Sequence, residues 1–191
     1  MEFDSYYSSV LKEMMFRSLL QDNRKWIYCG VFLDDESKKI LMQKVLDWFP
    51  NQKSNFDSWK WYCDHITLVF NNIKNPDPSA QAYGEQIIEN DIGKPVDITV
   101  VGVGATCASG FGEKDIIAVK VELDPVSGIK SLNEQPHITC IAKPGVKPVM
   151  SNRISKWTPL IAKVGDRGDK RLERFRLRGE VHAILPNNVK L

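Results

Sequence analysis

Two short stretches of this chain repeat one pattern, and that pattern restricts the fold more than any other feature. They are His65-Ile66-Thr67-Leu68-Val69-Phe70 and His137-Ile138-Thr139-Cys140-Ile141-Ala142. Both are rich in β-branched side chains and lack Gly and Pro, so each is expected to be a strand. Side chains of a strand alternate between its two faces. His65 and Thr67 therefore share one face, with Ile66, Leu68 and Phe70 on the other. His137 and Thr139 likewise oppose Ile138, Cys140 and Ala142. Each strand covers a core with one face and offers an imidazole plus a hydroxyl on the other. Side by side, the two would surround a polar cleft of phosphate size.

The doublet stands above chance. The chain has three histidines, and Ser and Thr fill 18 of its 191 positions. A hydroxyl two places after a given histidine is a roughly one-in-ten accident, and some pair of histidines sharing it is an event of a few per cent. A lone strand histidine would be read as bonded locally and structural. Two matched tripeptides weigh against that reading. The residue types also suit one chemistry. Cleaving a phosphodiester needs a base for the attacking oxygen and an acid for the leaving one. Two imidazoles with pKa near ~6.5 can divide those tasks, and threonine hydroxyls can donate to the nonbridging oxygens. This chemistry calls for no metal and no cofactor.

The rest of the chain alternates strand and helix signals. A strand is expected from Trp26 to Leu33, then a helix capped by Asp34 or Asp35 and running to Phe49 before Pro50. Asn51 to Lys60 reads as a loop and Trp61 to Phe70 as a strand. A helix from about Ser79 to Glu89 follows. Strands Val96–Cys107 and Ile116–Leu123 are joined by a turn at 108–113. A helix is expected over about Asn152 to Lys163, and a last strand over Phe175 to Leu185. Gly30 to Asp34 and Val119 to Asp124 are both strands ending in Asp that precede a His-Ile-Thr. This internal echo predicts one α+β domain over 26–191, with lobes at about 26–94 and 95–191. Residues 1–25, with Phe3, Tyr7, Val10 and Met14 at helical spacing, read as an accessory docking helix.

Composition narrows the partners. The chain is 42% hydrophobic and 26% charged, with a formal net charge of +2. Such a balance does not argue for a broad nucleic-acid coat, so any nucleotide contact must be local. Cys29, Cys63, Cys107 and Cys140 are widely separated. With no secretory signal and no apolar run near the ~20 residues of a membrane span, free thiols in a reducing cytoplasm or nucleus are expected, on a monomer that makes no membrane contact.

Paired His-x-Thr motifs on strands resemble the 2H phosphoesterase superfamily, which includes 2′-5′ RNA ligase-like proteins and cyclic phosphodiesterases of RNA processing. The resemblance covers about 26 to 185. It implies a pseudo-symmetric fold with antiparallel sheets around a central cleft and helices outside. It also implies catalytic roles for His65, Thr67, His137 and Thr139, with His137 leaning toward base and His65 toward acid. The implied substrate is a nucleotide or RNA end: a 2′,3′-cyclic phosphate, a 2′-5′ linked oligonucleotide or a cyclic oligonucleotide signal. A binding module without turnover, or RNA ligation by the reverse reaction, are the alternatives.

Rim residues are expected from position. By alternation Trp61 shares the face of His65, and Tyr28 is a further candidate to stack a base. Lys143 shares the face of His137 if that strand continues. Ser151 and Asn152 are placed to cap the following helix, whose N-terminus would favour an anion. Residues 163–178 form the strongest basic patch. His182 lacks a hydroxyl partner and is assigned to structure. No residue pair has zinc-site spacing, and Gly102-Val103-Gly104 is not a dinucleotide fingerprint.

Overall fold

The computed structural model describes residues 26–72, 74–106, 115–161, 173–186 and 189–191. The expected helix over 1–25, the turn at 108–113 and most of the basic patch lie outside the described residues. Eight strands are present among those described: β1 (Tyr28–Leu33), β2 (Lys60–Trp61), β3 (His65–Phe70), β4 (Pro95–Thr106), β5 (Ile116–Leu123), β6 (His137–Ala142), β7 (Trp157–Pro159) and β8 (Phe175–Ile184). Helices α1 (Asp35–Trp48), α2 (Lys53–Phe56) and α3 (Pro78–Asn90) interrupt them. No helix among the described residues is long and apolar enough to cross a membrane.

The strands form an antiparallel circuit, β6–β3–β1–β8–β4–β5, that returns to β6 through the β5–β6 pairing. β2 lies beside the far end of β6, and β7 beside the middle of β4. This is the α+β architecture with antiparallel sheets that the motif strands implied.

Helix boundaries follow local chemistry. Asp34 caps α1 by accepting from the Ser37 amide at 2.7 Å, and Asp35 and Glu36 sit in its first turn, where the helix dipole favours them. Asp77 caps α3 and Pro78 opens it. Leu41 and Val45, one helical turn apart, are fully buried on α1, and Ile87 is fully buried on α3. They join Val31, Ile66, Ile138 and Val181 of the strands in one continuous core. Burying an aliphatic side chain of this size contributes about 1.5–3 kcal/mol.

Three expectations are corrected. The polar stretch after Pro50 is not a plain loop. A 3-10 turn and α2 fold there, because Phe56, 1% exposed, anchors the segment in the core. The strand expected from Trp61 to Phe70 is broken at Cys63, whose φ of 45° is a left-handed conformation that ends the alternation. The helix expected over 152–163 is absent. A 3-10 turn over Pro148–Arg153 and strand β7 take its place. Pro159 cannot sit inside a helix, and Gly104 of β4 offers the flat surface that β7 needs. A Cβ at Gly104 would lie 2.7 Å from the Trp157 ring.

Candidate active site

The site is built where β3 meets β6. Their register pairs Ile66 with Ile138, the central residues of the two tripeptides. Both isoleucines are fully buried. In antiparallel pairing this puts His65 across from Thr139 and Thr67 across from His137, on the face opposite the isoleucines. Beyond that pair β3 leaves β6. The Thr67 carbonyl accepts from Ser131 Oγ at 2.9 Å and from Asn133 Nδ2 at 3.3 Å, and the Leu68 carbonyl accepts from the Leu132 amide. The strands splay around a cavity of about 450 Å³ lined by all four motif side chains.

His65 is walled by aromatic rings. Tyr28 and Phe32 of β1 each lie 5.0 Å from its ring, nearly parallel to it. Asp64 Oδ2 stands 3.4 Å from Nδ1, which is buried and makes no hydrogen bond among the described residues. Lys38 of α1 approaches the same carboxyl at 2.8 Å. The His65 contact, then Lys38, holds the Asp64 carboxyl well below the usual carboxylate range, against the opposing effect of burial. With Nδ1 facing the Asp64 carboxylate, Nε2 is the nitrogen left for the cleft. Burial, and secondarily Asp64, pushes the Tyr28 phenol up to about 12, so it stays protonated.

His137 is held differently. Its Nδ1 lies 2.8 Å from the Gln135 carbonyl, an acceptor only, so Nδ1 carries a proton. Its Nε2 lies 2.9 Å from Ser151 Oγ. Ser151 also meets Thr139 Oγ1 at 2.8 Å and the Pro148 carbonyl at 2.8 Å. Burial lowers the His137 pKa below the ordinary imidazole value, a shift that the Gln135 hydrogen bond opposes and the charge of His65 reinforces. The hydroxyl of Thr67, by contrast, has no partner among the described residues.

The other expected rim residues divide. Tyr28, Ser151 and Asn152 line the cavity. Ser151 does so from within the 3-10 turn, through a hydroxyl bonded to both second-motif side chains, and not as the cap of a helix. Trp61 is not brought to the cleft. The break at Cys63 turns it to the core, where its ring meets Phe56 edge-on at 5.9 Å, and Tyr62 lines the cavity instead. Lys143 lies beyond the end of β6, 3.7 Å from Asp115 Oδ1, and does not line the cavity. His182 Nδ1 donates within the fold to the Leu191 backbone oxygen at 2.6 Å. Sequence reading missed Asp64, Tyr62, Phe70 and Asn133. Asp64 carried a signal, since a carboxylate next to a motif histidine is worth testing as its partner. Asn133 lies in a polar stretch without periodicity and carried none.

Comparison with known proteins adds a family. Residues 51–184 match the model of the fungal tRNA ligase phosphodiesterase domain. The chain belongs to that family. The fungal tRNA ligase phosphodiesterase domain family accords with the 2H phosphoesterase superfamily, and both motifs fall inside the matched span. No curated protein matches the chain. Among solved structures, a fungal RNA kinase superposes with a TM-score of 0.54 at 14% identity, over 83% of this chain and 45% of that one. This chain thus spans less than half the length of that protein, and the likeness is one of fold. The protein TT0787 of Thermus thermophilus gives a TM-score of 0.40 at 16% identity, over 87% of this chain and 94% of that one.

Proposed function

We propose that this phosphodiesterase-family chain opens 2′,3′-cyclic phosphates at RNA ends, leaving a terminal phosphomonoester. The observation that carries the reading is the convergence of His65, Thr67, His137 and Thr139 on one face of paired strands, around one cleft. In this reading His137 is the base. Its lowered pKa keeps it neutral at neutral pH, with Nδ1 holding its proton against Gln135. His65 is the acid: Asp64 balances the positive charge of its imidazolium, and Nε2 delivers a proton to the leaving ribose oxygen. Thr67 and Thr139 donate to the nonbridging oxygens as charge grows on them. The phosphate is attacked by water, the P–O bond to one ribose oxygen breaks, and that oxygen takes the acid's proton.

The rim supports an RNA end over a free phosphate. Phe70 and Val149, 58% and 61% exposed, stand at the cavity with Tyr28 and Tyr62. Exposed aromatic faces stack bases. The family's printed description, a tRNA ligase phosphodiesterase domain, points the same way. The test is a panel in excess chelator: an RNA oligonucleotide with a 2′,3′-cyclic phosphate end, a 2′-5′ linked oligoadenylate and a cyclic dinucleotide. Turnover of the first, losing roughly 10²–10⁴-fold in His65→Ala and in His137→Ala, is expected. Preference for the second or third would refute the substrate class, and tight binding with no product would favour a binding module.

A further inference from the structure

Both ring nitrogens of His137 are already engaged, Nδ1 by the Gln135 carbonyl and Nε2 by Ser151. A base whose accepting nitrogen is covered cannot take a proton directly from the nucleophile. We infer that Ser151 relays that proton, so that water delivers it to Ser151 Oγ while the Ser151 proton passes to His137 Nε2. The inference rests on the phosphodiesterase reading above and adds a residue to it.

Proton counting sets the order of events. Ser151 has one proton, two lone pairs and three polar neighbours: His137 Nε2, Thr139 Oγ1 and the Pro148 carbonyl. With His137 neutral, Nε2 presents a lone pair, so the Ser151 proton points at it. Thr139 then donates into one Ser151 lone pair. The second lone pair faces the Pro148 carbonyl, so none of the three directions of Ser151 Oγ is open toward the cavity it lines. A bound phosphate changes this, because Thr139 can turn its proton to a nonbridging oxygen. The lone pair it vacates is free for the attacking water.

The step balances. One O–H bond of water breaks and a new Ser151 Oγ–H bond forms. The old Oγ–H bond breaks and an Nε2–H bond forms, while the hydroxide oxygen bonds phosphorus. The products are an imidazolium, an unchanged serine and a cyclic phosphate under attack. The imidazolium now donates through both nitrogens, and the Ser151 proton can swing to the Pro148 carbonyl at 2.8 Å. That carbonyl gives the hydroxyl a second resting direction, suited to the protonated ring. Ser151 is 2% exposed and held by the 3-10 turn Pro148–Arg153, so the relay group is fixed in place. The first motif has no counterpart: the Thr67 hydroxyl is without a partner among the described residues, and His65 faces a carboxylate instead.

The test uses the full chain and RNA ending in a 2′,3′-cyclic phosphate, with kcat measured across H₂O–D₂O mixtures. Two protons in flight on the base side give a bowed dependence on deuterium fraction for the unaltered protein. Ser151→Ala is expected to lower kcat about 10²-fold, to hold KM within about twofold, and to lessen that curvature, since one base-side transfer replaces two while the His65 proton still moves. A straight dependence in the unaltered protein overturns the relay without needing any variant. So does a Ser151→Ala enzyme whose kcat stays within about threefold, and if His137→Ala is then inactive, the base assignment survives alone. Turnover undiminished in His137→Ala, or no turnover of the substrate by the unaltered protein, overturns the function reading and the relay together.

Discussion

Gly30→Ala tests how tightly the fold controls the first histidine. Gly30 sits in β1 opposite Thr67 of β3 and His182 of β8. A Cβ there would lie 2.8 Å from the Ile66 carbonyl oxygen, 3.4 Å from the Phe32 ring and 3.6 Å from the His65 ring. The closest atom is backbone at the centre of the motif, so relief requires β3 itself to move by about half an ångström. Overpacking of this kind costs about 1–3 kcal/mol. Loss of glycine's freedom in the unfolded chain returns about 0.4–1 kcal/mol, leaving a net destabilisation of about 1–2 kcal/mol. For a chain of this length that lowers Tm by about 2–8 °C. A misplacement near 1 Å costs on the order of 10²-fold in rate, so half of it predicts a kcat about 10-fold lower. Calorimetry and initial rates on the cyclic-phosphate RNA measure both. A variant that melts within 1 °C or so of the unaltered protein and keeps its kcat would refute the claim that β1 sets the position of His65.

Burial lowers the His137 pKa, so the proposed base stays neutral further into acid. The acid limb of the kcat/KM profile is expected below the ordinary histidine value of ~6.5, and a limb at or above it would contradict the assignment. Phe70→Ala is expected to raise KM by roughly 5–150-fold, the ~1–3 kcal/mol of one stacked base, with Tm unchanged because the ring is mostly exposed. Trp61→Ala should do the reverse, lowering Tm through lost contact with Phe56 while KM holds. For Asp64→Asn, the lowered pKa of Asp64 fixes the sign. Any stability advantage of the carboxylate is fully present above its unfolded value of ~3.9 and fades as pH falls through the carboxylate range, which denaturation series at several pH values would reveal.

Much of this site was legible because strand alternation is a strict rule. It placed His65 with Thr67, and His137 with Thr139, without any knowledge of the fold. The same rule misplaced Phe70, expected on the core face but 58% exposed at the cavity beyond the β1–β3 register shift, and it misplaced Trp61, because nothing in the letters Tyr62-Cys63-Asp64 announces a cysteine in a left-handed conformation. Such a residue is held by its surroundings: the Cys63 amide donates to the Thr139 carbonyl and the thiol is buried. Ser151 was singled out for the wrong reason. As a helix cap it would have answered to local sequence, whereas its observed hydrogen bonds depend on a strand 12 residues earlier. The helix expected over 152–163 failed for a related cause. The backbone edge of β4 supplied partners for Trp157 to Pro159 that periodicity could not register.

The pairing of β3 with β6 at Ile66 and Ile138 works as a caliper. Two buried aliphatic side chains stand directly behind the face that carries the four motif side chains. Backbone pairing sets the strand spacing there, and the girth of the two isoleucines decides whether the core behind the imidazoles fills without a void or a clash. Exchanges such as Ile to Val or Leu at these two positions would adjust the opening from behind and leave every polar group in the cleft intact. The placement of the four motif side chains is therefore open to adjustment from the dry side of the sheet, through residues that never touch the cleft.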